Sequence, residues 1–450
     1  MASLDLRGNP VGSGSAAARD AAESALWRMM SFYDTPVADL DAAIEADPGW
    51  ALPHLMKAGW LLALTDPGEV GSAAAALDEA RARLGGATAR ERAHLEALQL
   101  VLDGRWHNAC RRWDDLLLEH PRDALALQWS HQWDLHRGDA AGLRMRPARS
   151  LPDWEADDPL HPHVLGLYAF GLEECNLYPQ AEEAARQALQ ADRRVPWAVH
   201  AVAHVLEMQG RHDEGSAWLR LHQHDWADGN HFASHLWWHK ALFRVEAMDC
   251  AGVLRLIDGH LGAETLTTTP QRVDAAAMLW RLHLVGEDVA ARALALADGW
   301  AAADDEPGYY AFNDLHRVTA LLAAGELVRA ERWVARCAER ALAMDDARRV
   351  NHTMAREVGL PLMRAFLAFA RGEVDNAAEI LYPARMAARG IGGSHAQRDL
   401  IDQTLLAAAV QGRRRTLGRA LLNERLMAKP ATALTRHWAS RLGLPREARA

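Results

Sequence analysis

In two stretches of the chain, polar residues recur among apolar ones at a spacing that places them on one face of a helix. In "HAVAHVLE", His200, His204 and Glu207 stand at positions i, i+4 and i+7. "HFASHLWWHKAL" repeats this arrangement with His231, His235 and His239. The spacing predicts two helices with a stripe of imidazoles each. Three roles remain open for them: metal ligand, catalytic acid or base, and polar lining of a large helical protein.

Turn signals recur along the chain at one spacing. "DGRWHNACRRWDDLLLEHP" contains a helix-breaking Gly, a small residue five positions later and a closing Pro. The pairing of Gly with a small residue recurs as Gly210 with Gly215, Gly325 with Ala330, and Gly372 with Ala377. Weaker turn signals lie near Pro67, Gly138, Asn176, Asp249, Gly286 and Gly412. Neighbouring turns are about 34–40 residues apart, which is the period of tetratricopeptide-type helix pairs.

This pattern has a simple physical basis. Gly tolerates the backbone angles of a tight turn, the small residue lets the second helix approach the first, and Pro ends the second helix. Ala and Leu dominate the composition and β-branched residues are sparse, which also favours helix. We therefore predict an all-α, tetratricopeptide-like solenoid of about ten or eleven helix pairs. It runs as one continuous array over residues 20–450, after a flexible N-terminal arm over residues 1–19. Unrelated antiparallel helices are the alternative.

Composition and charge narrow the class of partner. The net charge of -10 gives no electrostatic reason to bind nucleic acid, so no nucleic-acid partner is expected. No apolar run approaches the roughly 20 residues of a membrane span, and the N-terminus lacks the apolar core of a signal peptide. The four cysteines are scattered and form no CxxC motif, which indicates a reducing, cytoplasmic compartment. The oligomeric state is left open.

Five strings carry a resemblance to a known family. They are "LYAFGLEE" (167–174), "WAVHAVAHVLEMQGR" (197–211), "HLWWHKAL" (235–242), "FNDLH" (312–316) and "GGSHAQRD" (392–399). Together they resemble the tetratricopeptide repeat protein 38 family. The resemblance implies a soluble helical-repeat protein and no particular activity. The N-terminal third carries only the repeat pattern.

The histidines precede the turns of their repeats, which places them on first helices. First helices line the concave surface of such a solenoid, so these side chains are expected to converge on one inner surface. Imidazoles there can act as general acid and base near neutral pH. The candidate catalytic residues are His200, His204, His235, His239, His316 and His395.

A divalent metal is the one cofactor that the spacing suggests. His-Ala-Val-Ala-His has the i, i+4 spacing with which one helix can hold an ion, but it lacks the intervening Glu of zincins. The candidate ligands are His200, His204 and Glu207, and His235 or His239 would complete the site.

"GGSHAQRD" raises a separate possibility. Ser394 followed by Gln397 is a capping-box pattern, so a helix is predicted to begin here. The preceding glycines let a ligand approach the backbone, and the free amides with Arg398 could hold a carboxylate or phosphate. An ordinary capped helix, in which Arg398 and Asp399 pair locally, is the alternative. The candidate ligand-binding residues of this segment are Ser394, Arg398 and Asp399.

Further candidates follow from placement alone. Trp197 and Trp238 flank the histidines and could wall an aromatic pocket, while Asp274, Asn313 and Glu174 could face inward.

Two functions are compatible with these residues. One is a pocket for a small, anionic molecule, with acid/base or metal-assisted chemistry on it. The other is a non-enzymatic scaffold that holds a peptide or a partner protein in its groove. No complete catalytic motif decides between them.

Overall fold

The computed structural model describes residues 3–303, 306–343, 346 and 348–444, and it confirms the all-α, tetratricopeptide-type helical repeat. The helices of the first half are α1 (Ala16–Ser31), α2 (Val37–Ala46), α3 (Leu52–Ala63), α4 (Val70–Ala82), α5 (Ala89–Leu102), α6 (Trp106–Glu119), α7 (Ala124–His136), α8 (Ala140–Ser150), α9 (His161–Glu174), α10 (Tyr178–Ala191), α11 (Pro196–Met208), α12 (His212–Leu221) and α13 (Gln223–Trp226). The helices of the second half are α14 (Ala233–Glu246), α15 (Cys250–His260), α16 (Thr269–Leu284), α17 (Ala290–Ala303), α18 (Ala311–Ala323), α19 (Leu327–Leu342), α20 (Val350–Met354), α21 (Leu360–Ala370), α22 (Val374–Ala387), α23 (His395–Gln411), α24 (Arg415–Ala428) and α25 (Ala433–Arg441). A π-helical turn, Ala355–Gly359, joins α20 to α21.

The chain forms two compact units. Unit 1 comprises Met1–Val202, His222–Ala233 and Arg348–Val350, and unit 2 comprises Ala203–Leu221, Ser234–Ala347 and Asn351–Ala450. Each unit is built from antiparallel helix pairs, such as α9 with α10 in unit 1 and α21 with α22 in unit 2. The prediction of one continuous array over residues 20–450 stays a prediction.

The turns inside the pairs explain the repeat. A residue with positive φ follows the first helix of most pairs, at Gly104, Gly138, Asn176, Gly210, Met248, Gly286, Gly325 and Gly372. The small residue of the second helix is needed for close packing, because a Cβ at Gly215 would overlap the ring of Phe243. Ala330 and Ala377, which hold the same place in their repeats, are completely buried. The turn predicted near Asp249 lies at Met248, since Asp249 caps α15.

The structure of the described N-terminal residues differs from the predicted flexible arm. Ser3–Leu4 (β1) pairs with Pro10–Val11 (β2) in a short antiparallel hairpin, and α1 begins at Ala16. Arg7 is buried and forms an ion pair with Glu23, while the amide of Gly12 donates to Glu91 at 2.9 Å. Polar contacts therefore hold this segment against the helices of unit 1.

In unit 2, first helices pack against one another. Helix α16 contacts both α18 and α23, and α21 also contacts α18 and α23. Side chains from several repeats are thus brought within reach of each other. Across the described residues, none of the helices combines the length and apolarity that crossing a bilayer requires.

Candidate functional site

Three imidazoles and two carboxylates form a buried cluster in unit 2, here called the histidine cluster. It consists of His204 and Glu207 from α11, His235 and His239 from α14, and Asp274 from α16. His204 and His239 are completely buried, and the side chain of His235 is 14% exposed. The helical spacings of α11 and α14 place each pair of side chains on one face, as the sequence predicts.

The contacts inside the histidine cluster are specific. The Nδ1 atom of His235 lies 2.7 Å from Oδ2 of Asp274, and its Nε2 atom lies 3.2 Å from Nε2 of His239. The Nδ1 atom of His239 lies 3.5 Å from Oε2 of Glu207. The rings of His204 and His239 are 4.5 Å apart between centroids. Each of the two α14 imidazoles therefore has a carboxylate on one side and the other imidazole on the opposite side.

Burial controls the protonation of this cluster. It lowers the pKa of His239 well below its ordinary value, and the charges of His204, His235 and Arg281 act in the same direction. Burial also raises the pKa of Glu207, against the opposing charges of Lys429 and His204. Neutral imidazoles of this kind are good metal ligands, but a strongly lowered pKa makes a weak general base at pH 7.

A buried arginine lies beside the histidine cluster. Arg281 of α16 is completely buried, and its guanidinium donates to the carbonyls of Ala277 at 3.1 Å and Ala396 at 2.8 Å. It also lies 5.4 Å from the ring of Trp238, which stacks on His235 with centroids 5.3 Å apart. The Nε atom of Arg281 and the indole N–H of Trp238 have no hydrogen-bond partner among the described residues. Buried donors without a partner in the protein are usually satisfied by water, an ion or a ligand.

An ionic network joins helices that are distant in sequence. Arg425 of α24 pairs with Glu246 of α14 and, at 3.0 Å, with Asp399 of α23. Burial would raise the pKa of Asp399, but the charges of Arg425, Lys429 and Arg281 outweigh it and hold that pKa below its ordinary value. The Nζ atom of Lys429 lies 3.9 Å from Oε1 of Glu207, which connects this network to the histidine cluster.

A cavity of about 600 Å³ lies in unit 2 against the same network. It is here called the α23–α24 cavity, because most of its lining comes from these two helices and the end of α22. Its charged lining residues are Arg385, Arg389, Arg398, Asp399, Asp402, Glu424, Arg425 and Lys429. The apolar part of the wall includes Met208, Ile401, Leu421 and Trp438. Positive charge therefore exceeds negative charge beside an apolar surface.

The "GGSHAQRD" segment forms the predicted capping box. The hydroxyl of Ser394 accepts from the amide of Gln397 at 3.3 Å, and the Gln397 side chain accepts from the amide of Ser394 at 3.0 Å. Gln397 also donates to Oδ1 of Asp274 at 3.3 Å. Arg398 donates to the carbonyl of Gly393 and lines the cavity, and Asp399 pairs with Arg425. Arg398 thus binds the backbone that precedes its own helix, while Asp399 pairs with Arg425 of α24.

Three of the predicted site residues belong to unit 1. His200 lies among aromatic rings, 5.1 Å from Phe170, 5.3 Å from Trp197 and 5.0 Å from Phe232 between centroids. Glu174 is buried near the end of α9. The structure thus places Trp197 and His200 among aromatic rings of unit 1.

Two more of the predicted site residues, His316 and Asn313, lie on α18. The Nδ1 atom of His316 lies 2.7 Å from the carbonyl of Phe312, and the Nε2 atom has no hydrogen-bond partner among the described residues. Burial lowers the pKa of His316 to about 4. Asn313 is half-buried on the same helix. His395 lines the α23–α24 cavity rather than the histidine cluster.

Three imidazoles of the histidine cluster lie close enough together to share a metal ion. His204, His235 and His239 each offer a ring nitrogen, and these atoms lie within 4.8 Å of one another. Glu207, predicted as a ligand itself, lies behind His239 instead. The set that unit 2 brings together therefore draws mainly on α14, whereas the sequence pointed first to α11.

Several residues of the site were missed by reasoning from the sequence. They are Arg281, Arg425, Lys429, Glu246, Arg385 and Arg389. A signal existed for Arg281, because it is a single cation inside the apolar stretch "AAAMLWRLHL" of α16. Arg425 and Lys429 stand at i and i+4 in a helix with many exposed charges, and nothing local distinguishes them.

No protein-family model matches the chain. Among solved structures, the chain is similar to the human IFIT1 dimer with m7Gppp-AAAA, at 16% sequence identity and a TM-score of 0.40. The match covers 100% of this chain and 94% of that chain. That structure holds m7Gppp-AAAA, and the expectation of no nucleic-acid partner for this chain is corrected. The reasoning failed because a net charge describes the whole chain, whereas the α23–α24 cavity carries a local excess of cations.

Proposed function

We propose that this chain is a helical-repeat protein that binds a small organic anion in the α23–α24 cavity of unit 2. The observation that carries the proposal is the charge of the cavity wall, where five cationic side chains face three acidic ones. A carboxylate or phosphate group would be attracted by this excess, and Arg residues bind such groups through paired N–H donors.

The cationic side chains of the cavity wall differ in how many ion pairs they already form. Arg385 pairs with Asp402 at 2.7 Å and with Glu424 at 2.8 Å, and Arg425 is held by two carboxylates. Arg389 is exposed and has no ion-pair partner among the described residues. We therefore assign the first contact with the anion to Arg389, and the support of the deeper part of the cavity to Arg398 and Lys429.

Size and polarity define the rest of the ligand. A cavity of about 600 Å³ lies within the range of small-molecule sites. Met208, Ile401, Leu421 and Trp438 offer an apolar surface to the part of the ligand that carries no charge. The proposed ligand class is thus an anionic head on an apolar body.

We also propose the histidine cluster for acid/base or metal-assisted chemistry, separately from anion binding, because its side chains lie outside the lining of the α23–α24 cavity. Its residues are the proposed catalytic groups His204, His235 and His239, with Glu207 and Asp274 as their carboxylate partners. His200, His316 and His395 remain candidates through position. A lowered pKa favours a ligand or electrophile role for His239 over that of a general base.

We also propose a family and a cellular compartment for this chain. The strings "HLWWHKAL" and "GGSHAQRD" supply His235, His239 and Asp399, so the residues that resemble the tetratricopeptide repeat protein 38 family are also residues of the site. We propose membership of that family on this basis. None of the four cysteines, all of which the structure describes, forms a disulfide bond, which supports a reducing compartment such as the cytoplasm.

Thermal melts with chosen anions test the proposed function. Octyl phosphate, octanoate and inorganic phosphate are added to the wild-type protein, and the affinity of any stabilising compound is measured by calorimetry. Octyl phosphate or octanoate should raise the Tm more than inorganic phosphate does. Arg389→Gln should weaken binding about tenfold, because a hydrogen bond to a charged group contributes roughly 1.5–3 kcal/mol.

A matched variant separates a local effect from one of overall charge. Arg413→Gln removes an exposed cation of unit 2 that lies outside the cavity lining, and it should leave binding unchanged. Equal losses in both variants would reject the cavity as the site. Binding of an acidic peptide but of none of the small anions would favour the scaffold function instead.

A further inference from the structure

The two imidazoles of α14 are arranged in an unusual way. A carboxylate only accepts hydrogen bonds, so the 2.7 Å contact between Asp274 and His235 places the proton of His235 on Nδ1. The Nε2 atom of His235 then presents a lone pair toward Nε2 of His239, 3.2 Å away. Behind His239, Glu207 repeats the position of Asp274, at 3.5 Å from Nδ1.

This arrangement can accommodate a cation between the two Nε2 atoms. If Glu207 also accepts from Nδ1 of His239, two Nε2 lone pairs face each other across 3.2 Å. Without a metal ion, a neutral His239 must carry its proton on Nε2 to donate to His235, and its Nδ1 then has no hydrogen to offer Glu207. A divalent cation bound by both Nε2 atoms would let each imidazole donate from Nδ1 to its own carboxylate.

The distances fit such an ion. Two nitrogens that each bind Zn²⁺ at about 2.0–2.1 Å in tetrahedral geometry are about 3.3 Å apart. The observed separation of 3.2 Å agrees with this value before any adjustment. His204 supplies a third imidazole whose ring centre lies 4.5 Å from that of His239.

The pattern behind the ligands is also that of metal sites. Histidines that bind metals usually donate their second N–H to a carboxylate, which fixes the ring and its tautomer. Asp274 does this for His235, and it is itself held by the side chain of Gln397 at 3.3 Å. Gln397 is fixed in turn by the capping box of α23. The orientation of His235 therefore depends on a helix start more than a hundred residues away in sequence.

We propose that His204, His235 and His239 form a site for Zn²⁺ or a similar divalent transition-metal ion. Three neutral imidazoles suit such ions, and a set of three protein ligands leaves a position open for water or a substrate oxygen. Glu207 and Asp274 are positioning residues that act through His239 and His235. The site lies outside the lining of the α23–α24 cavity, so it stands or falls separately from the proposed anion binding.

Metal binding to the purified full chain tests the proposal. Protein made without a His-tag is treated with a chelator, and Zn²⁺ alone is then titrated by calorimetry and counted by elemental analysis. The wild type should bind about one equivalent tightly. His235→Ala and His239→Ala should lose this binding, whereas His283→Ala should keep it, because His283 of α16 stacks on Trp280 away from the cluster. Asp274→Asn should retain the stoichiometry and weaken the affinity about 10- to 100-fold.

A spectroscopic measurement on the wild type covers the case in which a variant does not fold. Co²⁺ added to the metal-free protein should give visible d–d bands of a four-coordinate ion, and equimolar Zn²⁺ should abolish them. Binding of only trace Zn²⁺ by folded wild type, or unchanged Zn²⁺ binding in both folded alanine variants, would overturn the site. Six-coordinate Co²⁺ bands that Zn²⁺ does not displace would also overturn it. Anion binding to the α23–α24 cavity would be unaffected by any of these results.

Discussion

Two successive turns of α11 carry a histidine each, and the two lie in different kinds of surroundings. In unit 1, His200 is packed among Phe170, Trp197 and Phe232, which are rings without charge. In unit 2, His204 lies with Glu207 and His239. A ring among aromatic side chains contributes through shape and stacking, whereas a ring among carboxylates and imidazoles contributes through its nitrogens. The same residue type at helical spacing thus has two physical roles.

Lowering the pH should reduce the stability of the protein more than any substitution below, because buried imidazoles of both units are affected. Burial lowers the pKa of His131 to about 3 and those of His136, His163 and His316 to about 4. The unfolded chain binds these protons near pH 6.5, while the folded chain does not. Stability is therefore complete above pH 6.5 and is lost as the pH falls toward 4, by up to about 1.4 kcal/mol per pH unit for each histidine.

Urea denaturation at pH 7.5, 6.5 and 5.5 measures this loss, and potentiometry of the unfolding reaction counts the protons taken up. A midpoint that does not change over this range would show that these histidines are not buried in neutral form.

Removal of one cation should strongly destabilise the charged surroundings of unit 2. Arg425→Met leaves Glu246 and Asp399 without their shared partner. Breaking a buried ion pair in this way costs about 3–5 kcal/mol. Chemical denaturation measures the change, and Arg413→Met, at a side chain that is 96% exposed, is the control with an expected change within about 0.5 kcal/mol. Equal midpoints for the two variants would mean that the network is solvated.

The packing within the helix pairs can be tested where the two helices of a pair come close together. Ala330→Leu and Ala377→Leu add volume at completely buried positions of second helices. Each should destabilise the protein by about 1–3 kcal/mol through overpacking. If denaturation midpoints are unchanged in both, the pairing of Gly with a small residue does not mark the helix contact.

The smallest effect should come from the aromatic surroundings in unit 1. His200→Phe keeps a ring of similar size between Phe170 and Trp197, so the expected change in unfolding free energy is below about 1.5 kcal/mol. His239→Phe removes the ring nitrogens that face His235 and Glu207, and it should cost more. Thermal and chemical melts of the two variants compare them directly. A larger loss for His200→Phe would reverse the assignment of roles.

The helical-repeat fold could be predicted from the sequence because the signals that specify it are local. Gly210 and Gly325 mark turns through their own backbone, and Gly215 and Ala330 mark close contacts through their own size. The histidine stripes of α11 and α14 are local in the same way, since spacing along one helix decides which side chains share a face.

The charged part of the site depends on distant pairings that no local pattern shows. Arg425 meets Glu246 across 179 positions, and Gln397 meets Asp274 across 123. The charge balance of the cavity could be read only after α22, α23 and α24 had been placed together.

The most direct test of the central claim, that the histidine cluster of unit 2 is a metal site, is anomalous scattering at the zinc edge. Crystals of the full chain loaded with Zn²⁺ should show one strong peak about 2.0–2.1 Å from the ring nitrogens of His204, His235 and His239. Asp274 should remain within hydrogen-bond distance of His235. A peak only at surface residues, or no peak between His235 and His239 in a protein saturated with Zn²⁺, would contradict the account.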